Sequence, residues 1–147
     1  MDKIHWIAFA FLAGSLLPLQ GAFNAQLGAA VASPIHASLI SFVVGTLAIA
    51  AYALVTQQSV SWAAVAGAPW YAWIGGLCGA VALTAIILTY PRLGPGLSFG
   101  LLVAGQLIVS VLLEHFDILV AHPHPISALR LVGVALVLGG VVMIRTF

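Results

Sequence analysis

The sequence predicts an all-α, polytopic membrane protein with five transmembrane helices, and three observations support that prediction. The chain of 147 residues is 63% apolar and only 5% charged, and its mean hydropathy is +1.22. Because a soluble domain carries roughly 25% charged residues, these values exclude a soluble globular protein. The partner they imply is the lipid bilayer.

Five apolar stretches are each long enough to cross the bilayer, since about 20 helical residues span about 30 Å of hydrocarbon. They use nearly the whole chain, so residues 1–147 are expected to form a single transmembrane domain. The connections carry turn residues, and the Pro91–Gly96 segment, with two prolines and two glycines, predicts a tight turn. The expected helices are 4–28, 35–56, 69–90, 97–116 and 127–144.

The first stretch could also be a cleaved signal peptide, because Ala30-Val31-Ala32 resembles a small-residue cleavage site. A signal peptide has an apolar region of only about 7–15 residues, and this stretch is far longer. It is also interrupted by the amides of Gln20, Asn24 and Gln26. We therefore interpret it as a transmembrane helix.

Every predicted helix carries small residues at spacings of three or four, which place them on one helix face. In lipid, small residues let helix backbones approach closely, so these positions predict helix packing. The glycines assigned to packing are Gly14, Gly21, Gly28, Gly45, Gly75, Gly79, Gly100, Gly133 and Gly140.

Polar side chains at membrane depth are costly unless a neighbour or a wet cavity satisfies them. Gln20 and Asn24 lie one turn apart in the first helix, Ser41 lies in the second, and Gln106 lies in the middle of the fourth. Amides can join helices or line a cavity, and the sequence leaves both interpretations open. These four residues are the candidates for binding a solute.

The seven charged residues all lie near predicted helix ends. Glu114 closes the fourth helix and Arg130 begins the fifth, so an ion pair across the short loop is expected. The others lie at the remaining helix ends or in the last loop. The full set is Asp2, Lys3, Arg92, Glu114, Asp117, Arg130 and Arg145.

The basic residues give the chain no preferred orientation. With five spans, Lys3 and Arg130 lie on one side of the membrane, and Arg92 and Arg145 on the other. The positive-inside rule then favours neither orientation. This balance predicts insertion both ways round and an antiparallel homodimer, although so few charges can also balance by chance.

No recognised catalytic or cofactor pattern is present. A metal site would need at least three ligands to converge, and the His122-x-His124 spacing places two imidazoles on opposite sides of an extended chain. The single cysteine, Cys78, cannot form a disulfide framework. No basic run suits a nucleic acid. We expect no cofactor, no metal, no nucleic-acid partner and no enzymatic activity.

Several short segments occur in an order that resembles a known family. They are Asn24-Ala25-Gln26-Leu27-Gly28, Ser41-Phe42-x-x-Gly45-Thr46, Trp73-x-Gly75-Gly76-x-x-Gly79-Ala80, Pro91-Arg92-Leu93-Gly94, Gly105-Gln106-Leu107-Ile108, His115-Phe116, Pro125-Ile126 and Arg130-x-x-Gly133. Together they resemble a five-helix inner-membrane branch of the bacterial drug/metabolite transporter superfamily, related to the small multidrug exporters. The resemblance implies an inner-membrane location and either antiparallel dimers or fused ten-helix relatives.

One departure from the small multidrug exporters bears on the substrate. Those exporters carry a glutamate in the first helix that exchanges protons for cationic drugs, whereas here that helix offers only Gln20 and Asn24. We therefore expect a small-solute transporter, working by alternating access, whose substrate is neutral or zwitterionic. The alternative is a non-transporting membrane subunit that assembles with a partner protein.

Overall fold

The computed structural model describes residues 3–147, and over that range the chain is all-helical, as predicted. Four helices are long and apolar enough to cross a membrane. Asp2, one of the charges predicted near a helix end, lies outside the described residues. The helices are α1 (Lys3–Ala30), α2 (Pro34–Val55), the short α3 (Trp62–Ala66), α4 (Ile74–His115) and α5 (Ala128–Thr146), with a 3-10 turn at Trp70–Trp73 before α4.

Helix α4 consists of two helical stretches that meet at a kink, in agreement with the prediction of two helices at 69–90 and 97–116, but the gap between them is narrower than predicted. It runs for 42 residues and leaves helical geometry only at Gly94, with φ 76° and ψ 165°. The six-residue turn expected at 91–96 is therefore confined to one residue. Glycine alone adopts this backbone conformation readily, and Pro95 then begins the next helical stretch, where its missing N–H costs nothing.

The break at Gly94 divides a helix that is too long to cross the bilayer once. An uninterrupted helix of 42 residues would be about 63 Å long, twice the roughly 30 Å of the hydrocarbon core. The stretches on either side of Gly94 are each about as long as one bilayer span. Both predicted spans are thus present inside α4.

The chain divides into two compact units, Met1–Arg92 and Leu93–Phe147. In the first unit, α1 and α2 form a helical hairpin. Ser33 caps α2 by accepting a hydrogen bond from the His36 backbone N–H at 3.3 Å, and Pro34 occupies the first turn, a favoured position for proline. That residues 1–147 act as one membrane domain stays a prediction.

Close packing in the first unit centres on Gly28. A Cβ atom there would lie 2.9 Å from Ile87 Cγ2 on α4 and 3.7 Å from Ala37 Cβ on α2. One contact farther along, a Cβ on Gly79 would lie 3.5 Å from the Phe42 ring. Glycine at these positions therefore lets three helices meet.

The second unit packs on the same principle. A Cβ on Gly100 would lie 3.0 Å from Val141 Cγ2, and one on Gly96 would lie 3.3 Å from Ile144 Cγ2. The glycine positions rise as the α5 positions fall, so α5 runs antiparallel to the second stretch of α4. The small face of α4 accommodates the β-branched side chains of α5.

Other glycines assigned to packing meet no neighbour in this chain. Among the described residues, no heavy atom lies within 4 Å of a Cβ added at Gly14, Gly45, Gly75, Gly133 or Gly140. Gly21 is buried on the α1 face that also carries Gly28. Only 6% to 11% of the apolar window of each candidate span is buried. Most of each helix surface is thus left for lipid or for another protein chain.

Candidate functional site

Two of the predicted solute-binding residues, Gln20 on α1 and Ser41 on α2, line the same groove. The groove lies among α1, α2 and the first stretch of α4, and its volume is about 200 Å³. Its remaining lining residues are Phe42, Gly45, Thr46, Ile49 and Leu83. We call this site the Gln20 groove.

The register of the α1–α2 hairpin explains why these residues meet. Gly28 lies opposite Ala37, and the helices are antiparallel, so each turn back along α1 corresponds to a turn forward along α2. Asn24 is then level with Ser41, and Gln20 is level with Gly45. Gln20 and Gly45 both line the groove, in agreement with this register.

Asn24 lies on the buried face of α1 without a hydrogen-bond partner for its amide nitrogen. The residue is 6% exposed, and Nδ2 is buried and unbonded. The Gln20 side chain is exposed and, within residues 3–147, makes no hydrogen bond to another side chain or to the backbone. Within the part of the chain that the structure describes, neither amide therefore joins α1 to a neighbouring helix.

Hydroxyl groups make the polar contact between α2 and α4. Ser38 Oγ and Thr84 Oγ1 lie 2.8 Å apart. Each hydroxyl also lies within hydrogen-bond distance of a carbonyl of its own helix, Ser38 of Pro34 at 3.0 Å and Thr84 of Ala80 at 2.8 Å. Because a hydroxyl has a single proton, one of the two donates across the contact while the other donates to its own helix. The polar contact between these helices is thus satisfied without the amides.

Gln106, the fourth predicted binding residue, belongs to the second unit. It lies on α4 and is exposed, and within the described part of the chain its amide has no hydrogen-bond partner. Like Gln20, it is therefore not a contact between helices of this chain.

Ser98, in the second unit, is a buried polar residue that the sequence analysis missed. It is 4% exposed, and its Oγ has no hydrogen-bond partner. Serine hydroxyls in helices usually bond to the carbonyl four residues earlier, which here belongs to Gly94. Because Gly94 is not helical, that carbonyl is turned out of the helical direction. In the sequence, such an unbonded hydroxyl is indicated by a serine four residues after the glycine of a Gly-Pro pair.

The end of α4 and the start of α5 are joined by charge. Arg130 Nη2 donates to Glu114 Oε2, and Arg130 Nη1 donates to the His124 carbonyl at 2.8 Å. His115 Nδ1 accepts from the Ile126 backbone N–H at 3.2 Å. These bonds hold the loop against the ends of both helices. The Arg130 and Glu114 side chains are each about one-third exposed, which places their ion pair at the edge of the unit.

Metal-ligating side chains do not converge in the described range. Over residues 3–147, no group of three or more His, Cys, Asp or Glu residues is placed to hold a metal ion. Cys78 is exposed and unpaired.

Three apolar residues of the Gln20 groove were not predicted as site residues. Phe42, Ile49 and Leu83 are ordinary membrane residues by composition, and only the fold places them beside the polar groups. For Phe42 a signal exists, because it falls between Ser41 and Gly45 in one of the segments that carry the family resemblance. Its ring contacts the Gly79 position and so separates α2 from α4.

Comparison with known protein families identifies a match over nearly the whole chain. A drug/metabolite transporter-type family model, described as "Putative inner membrane exporter, YdcZ", matches residues 5–143. The match covers nearly the whole chain and confirms the resemblance drawn from the sequence. No curated protein and no solved structure matches the chain.

Proposed function

The chain belongs to the YdcZ family, and on that basis we propose that it moves a small solute across the inner membrane by alternating access. The Gln20 groove forms part of the solute path. Two copies insert in opposite orientations and pair, so that the same rocking motion opens the path to either side. The proposal assigns no catalysed reaction to the chain.

The observation that carries this proposal is that the amides of Gln20 and Asn24 make no hydrogen bond to another described residue. A buried polar group without a partner is uncommon in folded proteins, yet Asn24 Nδ2 has none. If these amides only joined helices, they would be bonded across the α1–α2 or α1–α4 contact. Lining a path that is wet, or occupied by solute, accounts for Gln20, which lies in the groove wall. Asn24 lies one turn farther along the same helix, with its amide nitrogen buried.

Low burial supports pairing with a second copy. Between 6% and 11% of the apolar window of each span is buried, and packing glycines such as Gly14 and Gly75 face no neighbour among the described residues. An inverted partner could use these faces. The balanced basic residues, two on each predicted side, leave both orientations open. The same exposed faces also suit the alternative of a subunit bound to a different protein.

The test is solute entry into liposomes that contain only this protein. Stopped-flow light scattering follows swelling in glycerol, erythritol, acetamide, glycine and proline in turn. We expect entry of at least one solute to exceed that into protein-free liposomes. Gln20→Leu should slow this entry at least tenfold, while Gln26→Leu, an exposed amide on the same helix outside the groove, should leave it unchanged.

Two results would contradict the proposal. Equal rates for Gln20→Leu and Gln26→Leu would remove the groove from the solute path. No entry of any solute, combined with recovery of a different protein as a stoichiometric and stabilising partner, would support the non-transporting subunit.

A further inference from the structure

The wall of the Gln20 groove is amphipathic and contains no ionisable side chain. Its polar groups are the Gln20 amide and the hydroxyls of Ser41 and Thr46, and its apolar groups include Phe42 and Leu83. The polar groups are neutral dipoles that can donate to or accept from a ligand. A ligand that fits this wall needs one hydrogen-bonding part and one apolar part.

The charged side chains of the first unit lie far along their helices from the groove. Among its described residues these are Lys3 and Arg92. At 1.5 Å per residue, Lys3 is about 25 Å from Gln20 along α1, and Arg92 is about 13 Å from Leu83 along α4. Arg92 also donates to the Leu88 carbonyl of its own helix. Neither is placed to offset a charge bound in the groove.

The volume of the groove matches a small molecule. Its roughly 200 Å³ has room for about six water molecules. Pockets for drug-sized ligands begin at about 300 Å³. The groove therefore suits a compact solute.

We propose that the solute of the Gln20 groove is a small, uncharged, amphipathic molecule, and that zwitterions and ions of the same size are excluded. This inference rests on the proposed function and narrows it. The hydrogen-bonding part of the solute meets Gln20, Ser41 and Thr46, and its apolar part lies on the Phe42 side. A bound charge would lose its hydration without gaining a counter-charge from the groove wall, a penalty large enough to weaken binding about a hundredfold.

The test compares three probes of matched shape and different charge: benzamide, benzoate and benzamidinium. Each has a phenyl ring and a planar head group, so differences in binding report charge. Equilibrium dialysis is carried out with the full chain in lipid nanodiscs, and uptake by empty nanodiscs is subtracted. We expect benzamide to bind at least tenfold more tightly than either ion.

Variants assign that binding to the groove. Gly45→Leu should abolish it, since the new side chain fills the groove and its Cβ meets no atom within 4 Å. Gly139→Leu, at an equally open glycine of α5 that lies outside the groove and was not assigned to packing, is the matched control and should bind normally. Thr46→Val removes one hydroxyl at nearly constant volume and should weaken benzamide binding about fivefold, the loss of one hydrogen bond.

Equal or tighter binding of benzoate or benzamidinium would overturn the inference. Benzamide binding that survives Gly45→Leu would also overturn it, because benzamide would then bind outside the groove. A lipid chain or a side chain of a second copy would in that case occupy the groove. Neither result changes the solute entry measured by liposome swelling, so the inference can fail while the proposed function stands. Conversely, selective benzamide binding without transport of any solute would refute the proposed function and not the selectivity of the groove.

Discussion

Replacing Gly28 by alanine should destabilise the first unit, because the added methyl group has no room. The new Cβ would lie 2.9 Å from Ile87 Cγ2, closer than two carbon atoms pack at equilibrium, about 3.5–4.0 Å. The distance of 3.7 Å to Ala37 Cβ is an ordinary contact. The conflict is thus with a single methyl group on α4.

Ile87 cannot readily relieve the conflict. It is 3% exposed, and a β-branched side chain in a helix is held largely in one χ1 rotamer. Overpacking of this kind costs about 1–3 kcal/mol. Alanine also gains about 1 kcal/mol over glycine in helix propensity, but Gly14→Ala gains the same amount at a position with no neighbour. We therefore expect Gly28→Ala to be about 1–3 kcal/mol less stable than Gly14→Ala.

The assay is reversible unfolding in mixed detergent micelles, followed by circular dichroism. Adding Ile87→Ala to Gly28→Ala removes the conflicting methyl group, so the double variant should lose less stability than the two single changes summed. If Gly28→Ala is as stable as Gly14→Ala, or if Ile87→Ala brings no relief, the close approach of α1 and α4 is refuted.

Two further predictions concern side-chain contacts, and a third concerns orientation in the membrane. Ser98→Ala should raise the free energy of unfolding by about 1 kcal/mol, because it removes an unsatisfied buried hydroxyl, whereas Ser38→Ala should lower it by about 1 kcal/mol, because it removes the hydrogen bond between α2 and α4; the reverse order would refute the assignment of partners. Glu114→Gln should cost no more than about 1 kcal/mol, since the ion pair with Arg130 is partly exposed; a loss above about 3 kcal/mol would mean that the pair is buried in the assembly. A reporter fused to the C-terminus should be active on both sides of the membrane, and Gln57→Lys should bias it to one side; a single fixed side in the parent chain would exclude the antiparallel homodimer.

Hydropathy was sufficient to locate most of the membrane helices. Helices α1, α2 and α5 begin and end within a few residues of the predicted bounds, since an apolar run ending in turn residues has few other interpretations. In α4, the predicted gap between the two helices, residues 91–96, was too wide. Pro91 remains inside α4 and only Gly94 leaves helical geometry. The missing N–H of Pro91 removes one hydrogen bond, to the Ile87 carbonyl, without ending the helix.

The candidate site was predicted in part. Polarity at membrane depth was enough to select Gln20 and Ser41, which share a groove. Sequence periodicity could not tell which glycines meet a neighbour, because Gly28 and Gly14 look alike until the partner helix is in place. Nor could it reveal that Asn24 lacks a partner or that Ser98 faces a displaced carbonyl. Both facts depend on distances between atoms of separate turns or helices.

Chemical accessibility of Ser41 tests the central claim, that the interior polar residues line an aqueous path. Ser41→Cys, made in a chain with Cys78→Ala, is treated with a membrane-impermeant maleimide in sealed vesicles. The reagent requires the thiolate, which forms in water and not in lipid. Ser98→Cys, at a buried position, is the unreactive control. The proposed path predicts that Ser41→Cys reacts and that a transported solute protects it; a Ser41→Cys variant as inert as Ser98→Cys would contradict it.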